Sequence, residues 1–254
     1  ALGSRTLDVI ANTHLHSDHC GGNAALQASF PGARILIPPG QAEAVRHWDA
    51  TSLTFEPTGQ QCARFDYDDL LVPGKTIRMG DVDWEVHAAR GHDPHSVVLF
   101  EPHHRVLISA DALWENGFGV VFPELDDEDG FDDVERTLEV IRQLEPAWII
   151  PGHGAVFCDL PGSLARAHSR LDQFRRHPDK HRRHALKVLV KFKLLEWQQT
   201  SWERLSNWFA ASSYFVRIAA KDTDDDAATV LRQLIKELAN TGALTVDDQE
   251  IRNV

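Results

Sequence analysis

The chain has 254 residues, 43% of them apolar, and a formal net charge of −12 at pH 7. That length suits one large domain, or one domain with a small companion, and the acidic balance excludes a protein whose whole surface is a nucleic-acid footprint. No apolar run approaches a membrane span and no charged-then-apolar leader is present, so no membrane partner is expected.

Taken in order, residues 7–12 read as a strand, and it runs into Thr13-His14-Leu15-His16-Ser17-Asp18-His19-Cys20-Gly21-Gly22. His14 and His16 alternate, so on extended backbone they point the same way. Asp18 and His19 follow where the chain turns at the glycine pair and can face a second point. One stretch can therefore seed two adjacent metal sites. A short helix over 23–30 follows, then a strand over 33–37 closed by Pro38-Pro39-Gly40. Residues 41–48 look helical, with Ala42 and Val45 inward, and 51–75 have no clear period. Strands over 76–79 and 82–88 meet about Gly80-Asp81, a hairpin signal.

Arg90-Gly91-His92-Asp93-Pro94-His95-Ser96 is a second histidine cluster at a strand end. A strand over 97–100 pairs with one over 105–109, which runs into Ala110-Asp111. An acidic insertion fills roughly 114–130. Residues 133–144 form a helix with Val134, Leu138, Ile141 and Leu144 on one face, and Asp132 or Asp133 can cap it. A strand over 147–150 ends in Pro151-Gly152-His153-Gly154. Strand ends at 12, 88, 109 and 150 are thus each followed by His or Asp, and the interleaving of strands and helices fits sheets covered by helices.

Past Pro161-Gly162 the composition shifts. Residues 164–193 carry ten Lys/Arg against two Asp, a local charge of +8, leaving −20 on the remainder. A solvated helix face is one reading of this, and an anion-attracting patch is the other. A helix over 164–177 breaks at His177-Pro178, and Leu186, Leu189, Val190, Leu194 and Trp197 mark an amphipathic helix. Thr200-Ser201-Trp202-Glu203 is a capping box for a shorter helix, and a third begins at Asp224-Asp225-Asp226. Segments 244–246 and 250–252 can form a small hairpin. The order suggests a winged-helix-like module over 180–254, with the preceding domain at 1–179.

Cys20, Cys62 and Cys158 are an odd number without paired spacing, which favours free thiols and a reducing, cytoplasmic setting. Cys20 reads as a small packed residue ahead of any redox or ligand role.

These motifs resemble those of the metallo-β-lactamase-fold superfamily, in its glyoxalase II-like and endoribonuclease-like branches. His14-x-His16-x-Asp18-His19 is similar to the signature loop, Gly91-His92 to the next His motif, Ser109-Ala110-Asp111 to the strand-end aspartate, and Pro151-Gly152-His153-Gly154 to the last His motif. The resemblance covers roughly 5–160. It implies an α+β chain, an αββα sandwich followed by the small, mainly helical module. It further implies that His14, His16 and His92 hold one metal, that Asp18, His19 and His153 hold a second, and that Asp111 bridges them. Members of the family carry several strands ahead of the signature loop. Only a dozen residues precede it here, so about fifty residues are expected to be absent from the sequence, exposing a sheet edge.

Imidazole and carboxylate ligands suit two divalent ions, Zn²⁺ first, with Fe²⁺ or Mn²⁺ open. Two metals sharing a hydroxide make a nucleophile at neutral pH, and Asp18 can receive the proton from the attacking water. The resulting expectation is hydrolysis of a small ester, thioester or lactone. His95 reads as supporting a ligand or facing substrate, and Trp114, Phe118 and Phe122 as lining an apolar substrate pocket whose glycines permit movement. Lactonases of the superfamily place a tyrosine near the metals, and Tyr67 and Tyr214 lie in no recognised motif. The alternatives are a single-strand-specific ribonuclease, with RNA as partner, and a mononuclear iron dioxygenase. The C-terminal module is otherwise structural, supporting a lid or a homodimer.

Overall fold

The computed structural model describes residues 6–247 and 250–254. Its described residues fall into two compact units, one formed by the chain up to Phe55 with Gln61–Arg175, the other by Glu56–Gln60 with the chain from Arg176 onward.

The first unit opens with β1 (Val9–Ala11), α1 (Ser17–Cys20), α2 (Asn23–Ser29), β2 (Arg34–Ile37), a 3₁₀ turn (Pro39–Gln41), α3 (Ala42–His47) and β3 (Asp69–Leu70). β1, β2 and β3 form a parallel sheet in that order, with β1 an outer strand. The chain then builds β4 (Thr76–Met79), β5 (Val82–Ala88), β6 (Val97–Glu101), β7 (Val106–Ala110), α4 (Phe122–Leu125), α5 (Gly130–Leu144), β8 (Trp148–Pro151) and α6 (Leu160–Arg176). β4 to β8 form a second sheet in sequence order, antiparallel except for the parallel β7/β8 pair.

Alternation along the strands generates the layers. Ile35 and Ile37 of β2 pack in one core with Leu15, Cys20, Ala42 and Val45, while Leu36 between them packs with Val86, Val97 and Leu99 of the second sheet. Val98 and Phe100 of β6 turn the other way, into a core with Val134, Leu138 and Ile141 of α5 and Leu164, Ala167 and Leu171 of α6. Successive side chains of a strand point to opposite faces, so three cores separate four layers: helices, sheet, sheet, helices. Buried on both faces, β6 is apolar at every position except Glu101.

In α5 the start differs from expectation. Its N-terminal boundary residue is Asp129, with no side-chain cap, and Asp132 and Asp133 fall inside its first turn. There their charge still suits the positive end of the helix.

The second unit contains α7 (Pro178–Trp197), β9 (Gln199–Ser201), α8 (Trp202–Ala211), α9 (Ser213–Ala220), α10 (Ala227–Asn240), β10 (Leu244–Val246) and β11 (Glu250–Asn253). Ser201 caps α8, accepting from the Arg204 amide, and Asp226 caps α10, accepting from the Thr229 amide. The expected hairpin is β10/β11, and β9 adds to its free side in antiparallel register.

Candidate metal centre

The topology sends four strand ends to one edge of the first unit. β5, β7 and β8 run in the same direction, because β5 is antiparallel to β6, β6 to β7, and β7 is parallel to β8. Their C-terminal ends therefore deliver His92, Asp111 and His153 to a common rim. The loop after β1 joins that rim where the Val97 amide donates to the Thr13 carbonyl at 2.9 Å.

Each expected ligand arrives with its ring or carboxylate constrained. His92 Nδ1–H donates to the Val120 carbonyl at 2.5 Å, so its Nε2 presents a lone pair to the cluster. Nδ1 of His16 lies 2.8 Å from that Nε2, and Nδ1 of His14 pairs with Thr13 Oγ1 at 3.2 Å. His19 is pinned through its backbone: Asn12 Nδ2 donates to its carbonyl, and buried Asn23 donates in turn to Asn12 Oδ1.

The ligand atoms fall into three overlapping groups: His14, His16 and His92; His14, His19 and Asp111; Asp18, His19 and His153. Within each group the atoms lie within 4.8 Å of one another. Asp111 stands between the first and third. Its Oδ2 is 3.4 Å from His92 Nε2, 3.5 Å from His19 Nε2 and 3.7 Å from His153 Nε2. Asp18 Oδ2 is 3.1 Å from His153 Nε2 and 3.4 Å from His19 Nε2.

Two observations fit this donor set to divalent ions. Nε2 of His14 and Nε2 of His19 are buried with no hydrogen-bond partner among the described residues, an expensive arrangement for a protein with nothing to place there. His14 and His16 are also kept in the neutral form that ligates. Burial, with His92 adding to it, pushes His16 down to about 4, and burial with His16, His92, His19 and His153 lowers His14 as well. Burial raises the Asp111 carboxyl, but His19, His92 and His153 outweigh it and hold that group well below the usual carboxylate range. The hydrogen bond with Asp18 raises His153.

A pH dependence follows for the metal-free protein. Unfolded, His16 protonates near its ordinary value of 6.5, and folded it protonates only near 4. Between those values the unfolded state binds more protons, so stability rises with pH across the window, by about 3 kcal/mol for this group. His14 acts in the same direction. His153 opposes it, contributing below 6.5 and losing its contribution as pH rises through its elevated folded value. With a chelator present, the urea midpoint is expected to be lower at pH 5 than at pH 7. Equal midpoints would contradict the buried neutral imidazoles.

The segment after Asp111 wraps His92. The Gly119 amide donates to the Asp111 carbonyl, and the Phe122 amide donates to the His92 carbonyl. Trp114 sits at 5.4 Å between ring centroids from His153, and its indole N–H donates to Asp111 Oδ1 at 3.3 Å. Phe122 lies 4.9 Å from His16 and 5.6 Å from His92. Phe118 does not join them. It is 1% exposed, in the core with Leu113 and Phe174, so it offers no surface to a ligand, contrary to expectation. The glycines here serve close packing rather than the movement expected of them: a Cβ at Gly119 would stand 2.4 Å from His92 Nδ1, and one at Gly117 would stand 2.7 Å from the Arg170 guanidinium. His95 is exposed, with its ring against Gly40. Tyr67 lies off this rim, packed against the first sheet's helix-side core and accepting from Arg46.

One residue that sequence reasoning passed over is Asp93. It is 4% exposed, its Oδ1 accepts from the His95 amide at 2.7 Å, and its Oδ2 faces Nε2 of His16 at 3.8 Å. At that distance the carboxylate is beyond hydrogen-bond length, but it stands behind a candidate ligand imidazole, where a carboxylate can orient the ring and raise its basicity. The signal was an acidic residue directly after a candidate ligand. Asp93→Asn is expected to weaken metal retention about tenfold to a hundredfold by chelator competition, and unchanged retention would remove Asp93 from the site.

The metallo-beta-lactamase superfamily model matches residues 1–153. Over 164 residues the chain is 26% identical to an acyl-coenzyme A thioesterase of Gallus gallus, an alignment covering 61% of this chain and 59% of that protein. Over 154 residues it is 27% identical to a hydroxyacylglutathione hydrolase of Brucella anthropi, covering 60% and 47% respectively. The chain therefore spans only about half the length of these curated relatives. Among solved structures, a beta-lactamase domain protein from Burkholderia ambifaria superposes with a TM-score of 0.51 at 20% identity, covering 96% of this chain and 73% of that one.

Proposed function

The chain belongs to the metallo-beta-lactamase superfamily, and from that premise we propose that it is a metal-dependent hydrolase of a small thioester or related ester. The carrying observation is the placement of Asp111 Oδ2 within 3.7 Å of His92, His19 and His153, which makes one carboxylate common to two ligand groups. In this reading His14, His16 and His92 hold one ion, Asp18, His19 and His153 hold the other, and Asp111 joins them. Bound there, a pair of divalent ions, Zn²⁺ first, would lower the pKa of a shared water and polarise the substrate carbonyl.

The chain's own residues supply the rest. Asp18 is 21% exposed at its side chain and is the carboxylate placed to take a proton from attacking water. Its partial exposure gives that proton an exit to solvent. Phe122 and Trp114 flank the ligand imidazoles and cover them with apolar surface, which suits an acyl chain. Thioester substrates are favoured because one curated relative is named an acyl-coenzyme A thioesterase and another a hydroxyacylglutathione hydrolase, at 26% and 27% identity. Tyr67, whose hydroxyl accepts from Arg46, gives no support to a lactone.

The ribonuclease alternative draws on the basic 164–193 segment, but the basic side chains there are largely engaged. Arg175 pairs with Asp132 and Glu135, Arg182 with Asp222, Arg183 and Lys187 with Glu237, and Lys193 with Glu196. Charges satisfied in this way have little to give a phosphate backbone. The second unit, with its three-stranded sheet beside helices, is proposed as a winged-helix-like module with a structural role rather than a nucleic-acid reader.

The test is a panel of acyl-coenzyme A, hydroxyacylglutathione, lactone and single-stranded RNA substrates on the zinc-loaded full chain. Thioester turnover abolished by chelator and restored by divalent metal is expected. RNA cleavage without thioester turnover would overturn the substrate class, and iron-dependent oxygen uptake would overturn hydrolysis altogether.

A further inference from the structure

Cys20 and Cys62 come together from distant parts of the first unit. Their sulfurs are 3.8 Å apart. Cys20 is fully buried at the end of α1, its thiol also directed at the Leu15 carbonyl at 3.4 Å. Cys62 is half-buried, in the irregular stretch between Gln61 and Asp68, where solvent oxidants can reach it. A buried thiol beside an accessible one is the arrangement of a resolving and an attacking cysteine. The two α1 residues before Cys20 are His19 and Asp18, so a displacement of its sulfur is passed directly to the rim.

We propose that Cys20 and Cys62 are a redox-active dithiol that closes to a reversible disulfide under hydrogen peroxide, and that closure loosens metal held by Asp18, His19 and His153. The second half rests on the metal reading above.

The steps balance. The Cys62 thiolate attacks one peroxide oxygen, the O–O bond breaks, and the departing hydroxide takes up a proton as water, leaving a sulfenic acid on Cys62. The Cys20 sulfur then attacks the Cys62 sulfur, the S–S bond forms, and the S–O bond breaks. The leaving hydroxide takes the Cys20 proton as a second water. Two thiols are oxidised by two electrons in all, and one peroxide is reduced to two waters. The bond that Cys20 shares with Cys62 lowers the Cys62 thiol, which supports its assignment as the attacking partner.

Closure requires the sulfurs to approach by about 1.8 Å. Cys62 lies in chain without regular structure, whereas Cys20 is packed on all sides and its helix is tied to the rim by the bond from Asn12 to the His19 carbonyl. Cys62 can therefore supply most of the approach, and the part that Cys20 supplies acts on α1 and so on the two candidate ligand side chains that α1 carries.

The experiment uses the zinc-loaded full chain, treated with hydrogen peroxide and then digested without reduction. A Cys20–Cys62 cross-linked peptide, removed by dithiothreitol and absent from Cys62→Ser, is expected. Chelator competition on the oxidised protein should show one zinc equivalent retained about tenfold less tightly, returning on reduction. Over-oxidation of Cys62 without the cross-link, or cross-linking only through Cys158 between molecules, would overturn the dithiol. A cross-link with unchanged zinc retention would overturn its coupling to the rim. A protein that takes up no zinc in either form, yet forms the cross-link, would refute the metal reading and the coupling with it while leaving the dithiol standing.

Discussion

Asp111→Asn is expected to lower kcat/KM on a thioester about a thousandfold, equivalent to about 4 kcal/mol of transition-state stabilisation. Asparagine keeps the shape of the side chain and the bond from the Trp114 indole, but it removes the negative charge that sits among three imidazoles. Those imidazoles hold the Asp111 carboxyl ionised against the cost of its burial, so the charge is present at every working pH. Without it, the two ligand groups lose the carboxylate that is common to them, and two cations side by side would repel without a shared counter-charge. The loss should appear in kcat and metal stoichiometry together, with the circular dichroism spectrum preserved. A change under tenfold would mean that Asp111 is an onlooker.

Gly152→Ala should be nearly as damaging, at about a hundredfold in kcat, for a wholly spatial reason. The backbone at 152 lies outside the left-handed region, so alanine meets no conformational penalty there. Its Cβ would nevertheless fall 2.2 Å from Asp111 Oδ1, 2.9 Å from His19 Cε1 and 3.1 Å from the Ala110 carbonyl carbon. Asp111 and His19 cannot both yield without leaving the rim. Gly154→Ala is the contrasting variant: φ there is +95° and a Cβ would meet nothing within 4 Å. That change should cost about 1 kcal/mol of stability or more through backbone strain while leaving the rim geometry alone. If the two variants lose activity alike, the close approach at 152 is not what the glycine is for.

Much of this candidate centre was legible because its residues follow strand ends, and strand ends are where apolar runs stop and His, Asp and Gly begin. Reading those boundaries at 12, 88, 109 and 150 pointed to the His and Asp clusters, and the family resemblance picked from them seven residues that the structure gathers on one rim. The layers followed from the family resemblance and from the interleaving of strands with helices; the continuous apolar runs of β2 and β6 do not themselves show that their residues divide between two cores.

The rest was hidden because it depends on approach distances and not on residue type. Nothing local to Phe118 distinguishes it from Trp114 and Phe122, yet only the latter two reach the ligands, since the chain doubles back between Trp114 and Gly117 and turns Phe118 into the core. Ala110 adopts φ +48° immediately before Asp111, at a register shift between β7 and β8, and no sequence pattern announces that strained position. β3 is a two-residue strand in an aperiodic stretch, and β9 pairs across more than forty residues. α9, at Ser213–Ala220, follows α8 after a single residue, so its period merges with its neighbour's. The pairing of Cys20 with Cys62 across the first core belongs to the same class.

In the proposed reading one carboxylate joins two metal groups on this rim. Titrating zinc calorimetrically into the chelated full chain tests it most directly. Two equivalents bound per chain are expected, and saturation at one equivalent, or no uptake, would refute the shared carboxylate.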